Sequence, residues 1–321
     1  MRAVVANDYG PPESFVVADV PVPRPGPGQL QVRIAAASIN PADVVLPGGE
    51  YRTAGVPLPF PHVPGNDFAG TVTEVGAGVT AFRVGDEVFG QAVPRVLRPM
   101  AGATRPSLST GSLAEYAVFE ADTPLLTHRP PGLDVADAAA LATAGLTARA
   151  LLVTARPEPG GTALVVGATG GVGTALVPLL AAAGVHVVAT STAADDALLR
   201  ELGAAETIGY ADAYPEGVDM AFNVVLRGDR LGAVAAAVRP GGRLLTITYP
   251  PPGPDRPRDD VDLEFVLDLD GALGGMREVA DLAVSGVLPA TISRRYLLDD
   301  GPRACVDFVR EHTTGKLVVT T

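Results

Sequence analysis

The sequence predicts an α/β protein of two domains, a parallel sheet with helices on both faces joined to a β-rich first third. Three observations carry this. Strand-like and helix-like segments alternate from about residue 135 onward. A glycine-rich turn at residues 167–173 links an apolar strand to a helix. The first third holds short β-branched runs punctuated by Pro and Gly, as at residues 21–28.

Taken in order, residues 31–37 alternate as a half-buried strand does, and residues 70–75 are rich in Thr and Val. Gly85-Asp86-Glu87-Val88-Phe89-Gly90 reads as a turn entering a strand, and residues 91–111 read as one long loop without periodicity. Residues 136–154 are helical in composition. The strands of the second half are expected at 163–166, 185–190, 206–208, 220–225, 243–248 and 261–267. Helices are expected at 174–183, 195–202, 229–237 and 275–285, with a Pro-rich loop at 250–260. Pro178 falls inside the first of these helices, where a missing N–H should cost about 3 kcal/mol or kink it. The tail from Lys316 reads as a short strand that rejoins the first domain.

Composition narrows the function classes. Charged residues are 19% and hydrophobic ones 47% of 321, which suits a packed enzyme rather than a disordered chain. A net charge of −12 makes nucleic acid and anionic membrane poor partners. No basic leader with an apolar core opens the chain, and no uninterrupted apolar run reaches spanning length, so a cytoplasmic location is expected. Cys305 is the lone cysteine, which rules out an internal disulfide and a cysteine-based zinc site. The four histidines lack paired ligand spacing, so no metal is expected. Lys316, the only lysine, is the one Schiff-base candidate. Neither a Gly-x-Ser-x-Gly elbow nor a Gly-Lys-Ser/Thr phosphate loop occurs.

The turn Gly167-Ala168-Thr169-Gly170-Gly171-Val172-Gly173 has the spacing that cradles a dinucleotide. Small residues let the backbone approach a pyrophosphate, Gly173 lets strand and helix pack closely, and the helix N-terminus offers N–H groups and partial positive charge. A glycine-rich surface turn is the plain alternative, and the flanking strand–helix–strand order argues against it.

Several segments in one order resemble the medium-chain dehydrogenase/reductase superfamily, specifically its zinc-free quinone oxidoreductase branch. They are Asn40-Pro41-Ala42-Asp43, Gly48-Gly49-Glu50-Tyr51, Pro64-Gly65-Asn66-Asp67-Phe68-Ala69-Gly70, Val75-Gly76-Ala77-Gly78-Val79 and Gly85-Asp86-Glu87-Val88. Gly111-Ser112-Leu113-Ala114-Glu115-Tyr116, Ala144-Gly145-Leu146-Thr147-Ala148, the glycine turn, Arg239-Pro240-Gly241-Gly242-Arg243 and Gly315-Lys316 complete the set. The resemblance implies a GroES-like β-barrel domain from both chain ends, residues 1–127 and 287–321, and a Rossmann NADP-binding domain, residues 128–286. It implies a nicotinamide lying between the two and, commonly for the family, a homodimer. Zinc-type members carry Cys where this chain has Asn40 and His-Glu where it has Asn66-Asp67, so the ligand set is gone. Alcohol oxidation then lacks a Lewis acid, whereas hydride transfer to a quinone or conjugated C=C needs none.

The resemblance also assigns candidate residues. Tyr51 would donate a hydrogen bond or proton to the substrate oxygen, or else pack at the rim. Val45 replaces a second tyrosine common in the family. Asn40 would sit beside the nicotinamide, or else cap its turn. Asp67 is expected to be structural, bonded to backbone. Thr147 would approach the pyrophosphate, or else serve as a helix-interior Thr. Ala168, Thr169, Gly170, Gly171, Val172 and Gly173 form the cradle, and Tyr210 would lie against the adenosine. Val225, Thr246 and Thr248, from the next two strands, join the cofactor set. The ribose end has no carboxylate within residues 189–193, and the hydroxyls of Ser191 and Thr192 would receive a 2′-phosphate, so NADPH is expected. Asp195 and Asp196 follow, and no Arg or Lys occurs between Val185 and Leu199, so the preference should be modest. The expected function is NADPH-dependent reduction of a small-molecule quinone or enone. A non-catalytic NADPH-binding sensor or structural protein is the alternative, and a zinc-type alcohol dehydrogenase the less favoured one.

Overall fold

The computed structural model describes residues 1–50, 52, 57–101, 105–253 and 256–321. The chain divides into two units. One is Met1–Thr143 with Leu269–Val284 and Ile292–Thr321; the other is Ala144–Asp268 with Ser285–Thr291.

In the second unit six parallel strands lie in the spatial order Glu206–Gly209, His186–Ser191, Thr162–Val166, Val218–Asn223, Val238–Thr246, Asp262–Phe265. The order reverses between Thr162–Val166 and Val218–Asn223, and such a switch point leaves a crevice at the strands' C-terminal ends. All four inner residues Ala163, Leu164, Val165 and Val166 are buried, as a strand covered on both faces requires. The helix after it is Gly171–Ala182, starting three residues earlier than the apolar pattern suggests, because Gly171 and Gly173 carry no hydrophobic signal. Pro178 lies buried inside it and does not end it. Val225 and Thr248, assigned to strands by composition, fall just beyond their strand ends.

In the first unit the strand Gln29–Ser38 is central. It pairs antiparallel with Asp67–Val75, Tyr116–Glu120 and the C-terminal Lys316–Thr320, so the tail rejoins the β-rich unit as expected. Phe68 and Phe119 stack at 3.7 Å between centroids inside its core, beside Leu30, Val32 and Ile34. Residues 91–111 are not one irregular loop. They contain the short strands Val93–Pro94 and Leu108–Ser109 and the turn of helix Arg98–Ala101, closed over Val93, Ala101 and Leu108.

Two boundaries differ from the sequence reading. The limit near residue 143 falls inside the long helix Val135–Ala155, and the helix Met276–Val284 goes with the β-rich unit. Met276 N–H donates to the Pro124 carbonyl at 2.8 Å, a long-range contact that helical composition does not encode. The helix Val135–Ala155 is long and apolar enough, by length and composition alone, to cross a membrane, although it contains Asp137 and Arg149. Most of its most apolar stretch is buried inside the protein, as in a core helix.

Candidate active site

The glycine turn stands at the C-terminal end of Thr162–Val166, at the switch point. Gly167 takes φ +92°, and a Cβ there would come within 2.8 Å of Val225 Cβ. A Cβ on Gly173 would meet the Gly167 carbonyl oxygen at 2.3 Å and Ala168 Cα at 2.5 Å, so strand and helix touch there. Gly170 differs: its Cβ would find only Gly167 O, at 3.5 Å, so that side of the turn is open. Gly170 is the N-cap of the helix, and the first helical N–H groups, from Gly171, Val172 and Gly173, have no intrahelical partner.

Around this turn lie most of the second-unit candidates. Thr169 Oγ1 and Tyr210 OH share a hydrogen bond of 2.7 Å, and Tyr210 is 52% exposed. Thr190 Oγ1 accepts from Gly167 N–H at 2.9 Å and ties the second strand to the turn. Val225, 59% exposed, lies against Gly167. Thr246 is fully buried, and its hydroxyl and that of Thr248 lie 2.8 and 3.1 Å from Asn223 Nδ2. Asn223 also donates to Leu226 O at 2.6 Å and accepts from Leu226 N–H at 2.9 Å, so it shapes the 224–226 bend. Sequence reasoning missed Asn223, whose signal was a polar side chain ending an apolar strand. Thr147 is half-buried on its helix. The hydroxyls of Ser191 and Thr192 each donate to a nearby carboxylate. Ser191 Oγ donates to Asp196 Oδ1, and Thr192 Oγ1 donates to Asp195 Oδ2 at 2.5 Å.

The first unit holds a second cluster, built from segments far apart in sequence. Asp67, wholly buried, accepts at Oδ2 from Ser38 Oγ at 2.6 Å and Asn40 Nδ2 at 2.8 Å, and at Oδ1 from Thr143 N–H at 3.0 Å and Thr143 Oγ1 at 2.5 Å. Lys316 Nζ lies 3.3 Å from Asp67 Oδ2 and donates to Asn40 Oδ1 at 2.6 Å and Ile39 O at 2.7 Å. Asn40 therefore begins the helix Pro41–Gly48 while its amide is committed to Asp67 and Lys316. Asp43 closes the turn, accepting from Asn40 N–H at 2.8 Å and Gly65 N–H at 3.0 Å. Its complete burial pushes the carboxyl pKa up to about 7, with the nearby Asp67 adding to the rise. Asn66 Oδ1 is buried without a hydrogen-bond partner. Tyr51 lies outside the described residues.

These side chains do not fit a zinc ion. The cluster offers the Asp67 and Asp43 carboxylates and the Asn40 and Asn66 amide oxygens, no thiolate or imidazole, and the Lys316 ammonium already lies against Asp67 and Asn40 Oδ1. Among the described residues no group of three or more His, Cys, Asp or Glu is gathered.

Comparison with known proteins finds two family models on this chain: an alcohol dehydrogenase GroES-like domain over residues 26–130 and a zinc-binding dehydrogenase domain over residues 184–319. A chloroplastic quinone oxidoreductase of Triphysaria versicolor is 30% identical over 99% of this chain and 98% of its own length. A chloroplastic NADPH-dependent alkenal/one oxidoreductase of Arabidopsis thaliana is 31% identical over 79% of this chain; the match spans 64% of that relative. The solved quinone oxidoreductase of Coxiella burnetii superposes with a TM-score of 0.87 at 25% identity, over 100% of this chain and 99% of that one.

Proposed function

The chain belongs to the medium-chain dehydrogenase/reductase superfamily, in its quinone oxidoreductase branch, and from that premise we propose that it is an NADPH-dependent oxidoreductase. It passes hydride to a quinone or an α,β-unsaturated carbonyl without a metal ion. The observation that carries this reading is the glycine turn at the switch point, closed by packing at Gly173 and open at Gly170.

The N–H groups of Gly171, Val172 and Gly173 hold the pyrophosphate, helped by the positive end of their helix. Ala168 and Thr169 line the same turn, with the ring face of Tyr210 for the adenosine and Val225 beside it. Thr246 and Thr248 act through Asn223, which sets the 224–226 bend. Thr147 contributes a hydroxyl near the phosphates. When bound, the reduced nicotinamide supplies a hydride. Asn40, with its amide held by Asp67 and Lys316, fixes the backbone of the turn at which substrate is received. Charge that develops on the substrate oxygen is held by hydrogen bonds, and Tyr51 or water gives the proton. Orientation, rather than acid strength, does most of the catalysis. A zinc-type alcohol dehydrogenase is disfavoured by the occupant of the Asp67 cluster. The protein works in the cytoplasm as a homodimer; its net charge of −12 disfavours nucleic acid and anionic membrane surfaces.

Steady-state NADPH oxidation against a panel of quinones and enones tests the reading. Turnover with at least one acceptor is expected. NADPH binding without turnover on any of them would leave the non-catalytic binder in its place.

A further inference from the structure

Residues 88–114 hold three arginines and no carboxylate, in a chain whose net charge is −12. Arg105 is paired with Asp122 at 3.3 Å. Arg95 and Arg98 are exposed, and among the described residues neither has an ion pair. Pro94 leads into the 3₁₀ turn Arg95–Leu97, and Arg98 N–H donates to Arg95 O. In such a turn residues i and i+3 eclipse, about 6 Å apart along the axis, so both side chains leave on one side. The turn is seated on its own packing, with Leu97 and Leu269 against Val93, Ala101 and Leu108. Asp270, next to Leu269, accepts from Ala272 N–H at 3.2 Å. The segment also begins beside the turn at which substrate is received. Asp43 accepts from both Asn40 N–H and Gly65 N–H, Gln91 pairs with Asp67, and Ala92 N–H donates to Asn66 O at 2.9 Å. Asn66 is 5% exposed, and its side-chain Oδ1 has no partner among the described residues. A buried polar atom in that state takes its hydrogen bond from a bound molecule, water or substrate. Three residues separate Ala92 from Arg95, so the guanidinium pair arises at most about 10 Å along the chain from this place.

We propose that Arg95 and Arg98 form a subsite for a carboxylate at the far end of the substrate, so the protein's acceptors are enones or quinones whose tail carries an acid group roughly 10 Å from the reacting carbon. The proposal rests on the hydride-transfer reading above and deepens it by naming the class of acceptor. Each guanidinium presents a planar fork of donors that matches a carboxylate, and two on one side of a turn bracket a single group. The acidic remainder of the chain repels anions at long range, which favours a singly charged carboxylate over a phosphate dianion. Screening over about 8 Å at physiological salt mutes that distant repulsion and leaves the local pair to decide.

The test compares an alkyl enone bearing a terminal carboxylate, its tail long enough to span about 10 Å, with the methyl ester of the same molecule. Steady-state turnover with NADPH should give a kcat/KM for the acid at least ~3-fold above that for the ester. In the double variant Arg95→Gln with Arg98→Gln that acid-to-ester ratio should fall by about 3- to 30-fold, with the change in KM rather than kcat, as loss of uniform binding requires. A short-tailed acid, which cannot reach the pair, should show no advantage over its ester in either protein. Salt supplies a further arm, because raising ionic strength from about 0.01 M to about 0.15 M shortens the screening length from roughly 30 Å to roughly 8 Å. The wild-type ratio for the long acid should fall with salt, whereas in the double variant, where only the repelling acidic surface remains, it should rise. A long acid no better than its ester in the wild type would overturn the proposal, and so would a ratio unmoved in the double variant. Failure to turn over any of the four compounds would instead overturn the hydride-transfer reading, and this subsite with it.

Discussion

The glycine turn and the Asp67 cluster are two ways of building a site, and they differ in where their information lies. The turn occupies seven consecutive residues and works through backbone: one positive φ at Gly167, one close contact at Gly173 and one open face at Gly170. The cluster draws Ser38 and Asn40, Asp67, Thr143 and Lys316 from four distant parts of the chain and works through side-chain hydrogen bonds and a buried charge pair. The turn tolerates change wherever a Cβ meets open space. The cluster tolerates little, because removing one partner leaves another buried polar group unanswered.

The sharpest way to break this contrast is Lys316→Met. It strands the Asp67 carboxylate in the interior, and losing one partner of a buried pair typically costs about 3–5 kcal/mol. Denaturant unfolding should show that loss, and Asp67→Asn in the same chain should recover much of it. A loss below about 1 kcal/mol would put the pair in the class of exposed ones. Next come the two glycines. Gly173→Val places side-chain atoms against Gly167 O and Ala168 Cα and should destabilise by roughly 1–3 kcal/mol. Gly170→Val should leave unfolding nearly unchanged while weakening NADPH binding by at least ~10-fold, about 1.4 kcal/mol. If both variants lost stability equally, the turn would be a packing element throughout.

A smaller effect comes from two buried titrating groups of the first unit. Asp43 has its pKa raised to about 7 from 3.8, so the native state holds a proton that the unfolded chain has lost, and stability falls as pH rises across that window. His62, buried, has its pKa lowered to about 4 from 6.5, so here the unfolded chain holds the extra proton and stability rises across its window. Between about pH 4 and 6.5 the two slopes oppose and largely cancel. His62→Gln should uncover the falling limb, with the wild-type advantage growing by up to about 1.4 kcal/mol per pH unit across that range. Parallel pH–stability curves for the two proteins would deny that His62 is neutral in the fold.

The same contrast explains what could be read before any coordinates. Inner strands such as Thr162–Val166 were legible because a strand buried on both faces is a continuous apolar run. The half-buried edge strands Glu206–Gly209 and Asp262–Phe265 were placed by the alternation of strands and helices, and strand ends were misjudged, as at Val225 and Thr248. The turn was legible because its chemistry is local. The segment 91–111 was not, since strands of two residues leave no periodicity. The cluster was half legible. Asn40 and Asp67 were singled out through family resemblance, and Asp67 does accept from backbone at Thr143. Its pairing with Lys316 depends on the last strand lying beside Gln29–Ser38. A trace of it stood in plain sight: the sole lysine opens an apolar run, and charged residues are rarely fully buried unless paired. At Ser191 and Thr192 the hydrogen bonds to Asp196 and Asp195 depend on the bend after the strand, which residue type alone does not encode.

The central claim is hydride delivery from a nicotinamide without a metal. It is tested most directly with NADPH deuterated at the transferring position of nicotinamide C4, an enone that the protein turns over, and protein freed of metal by EDTA. Mass spectrometry of the saturated product should find the deuterium on the carbon β to the carbonyl, at a rate equal to that of untreated protein. A product without deuterium, or a rate lost with EDTA and restored by zinc, would contradict the account.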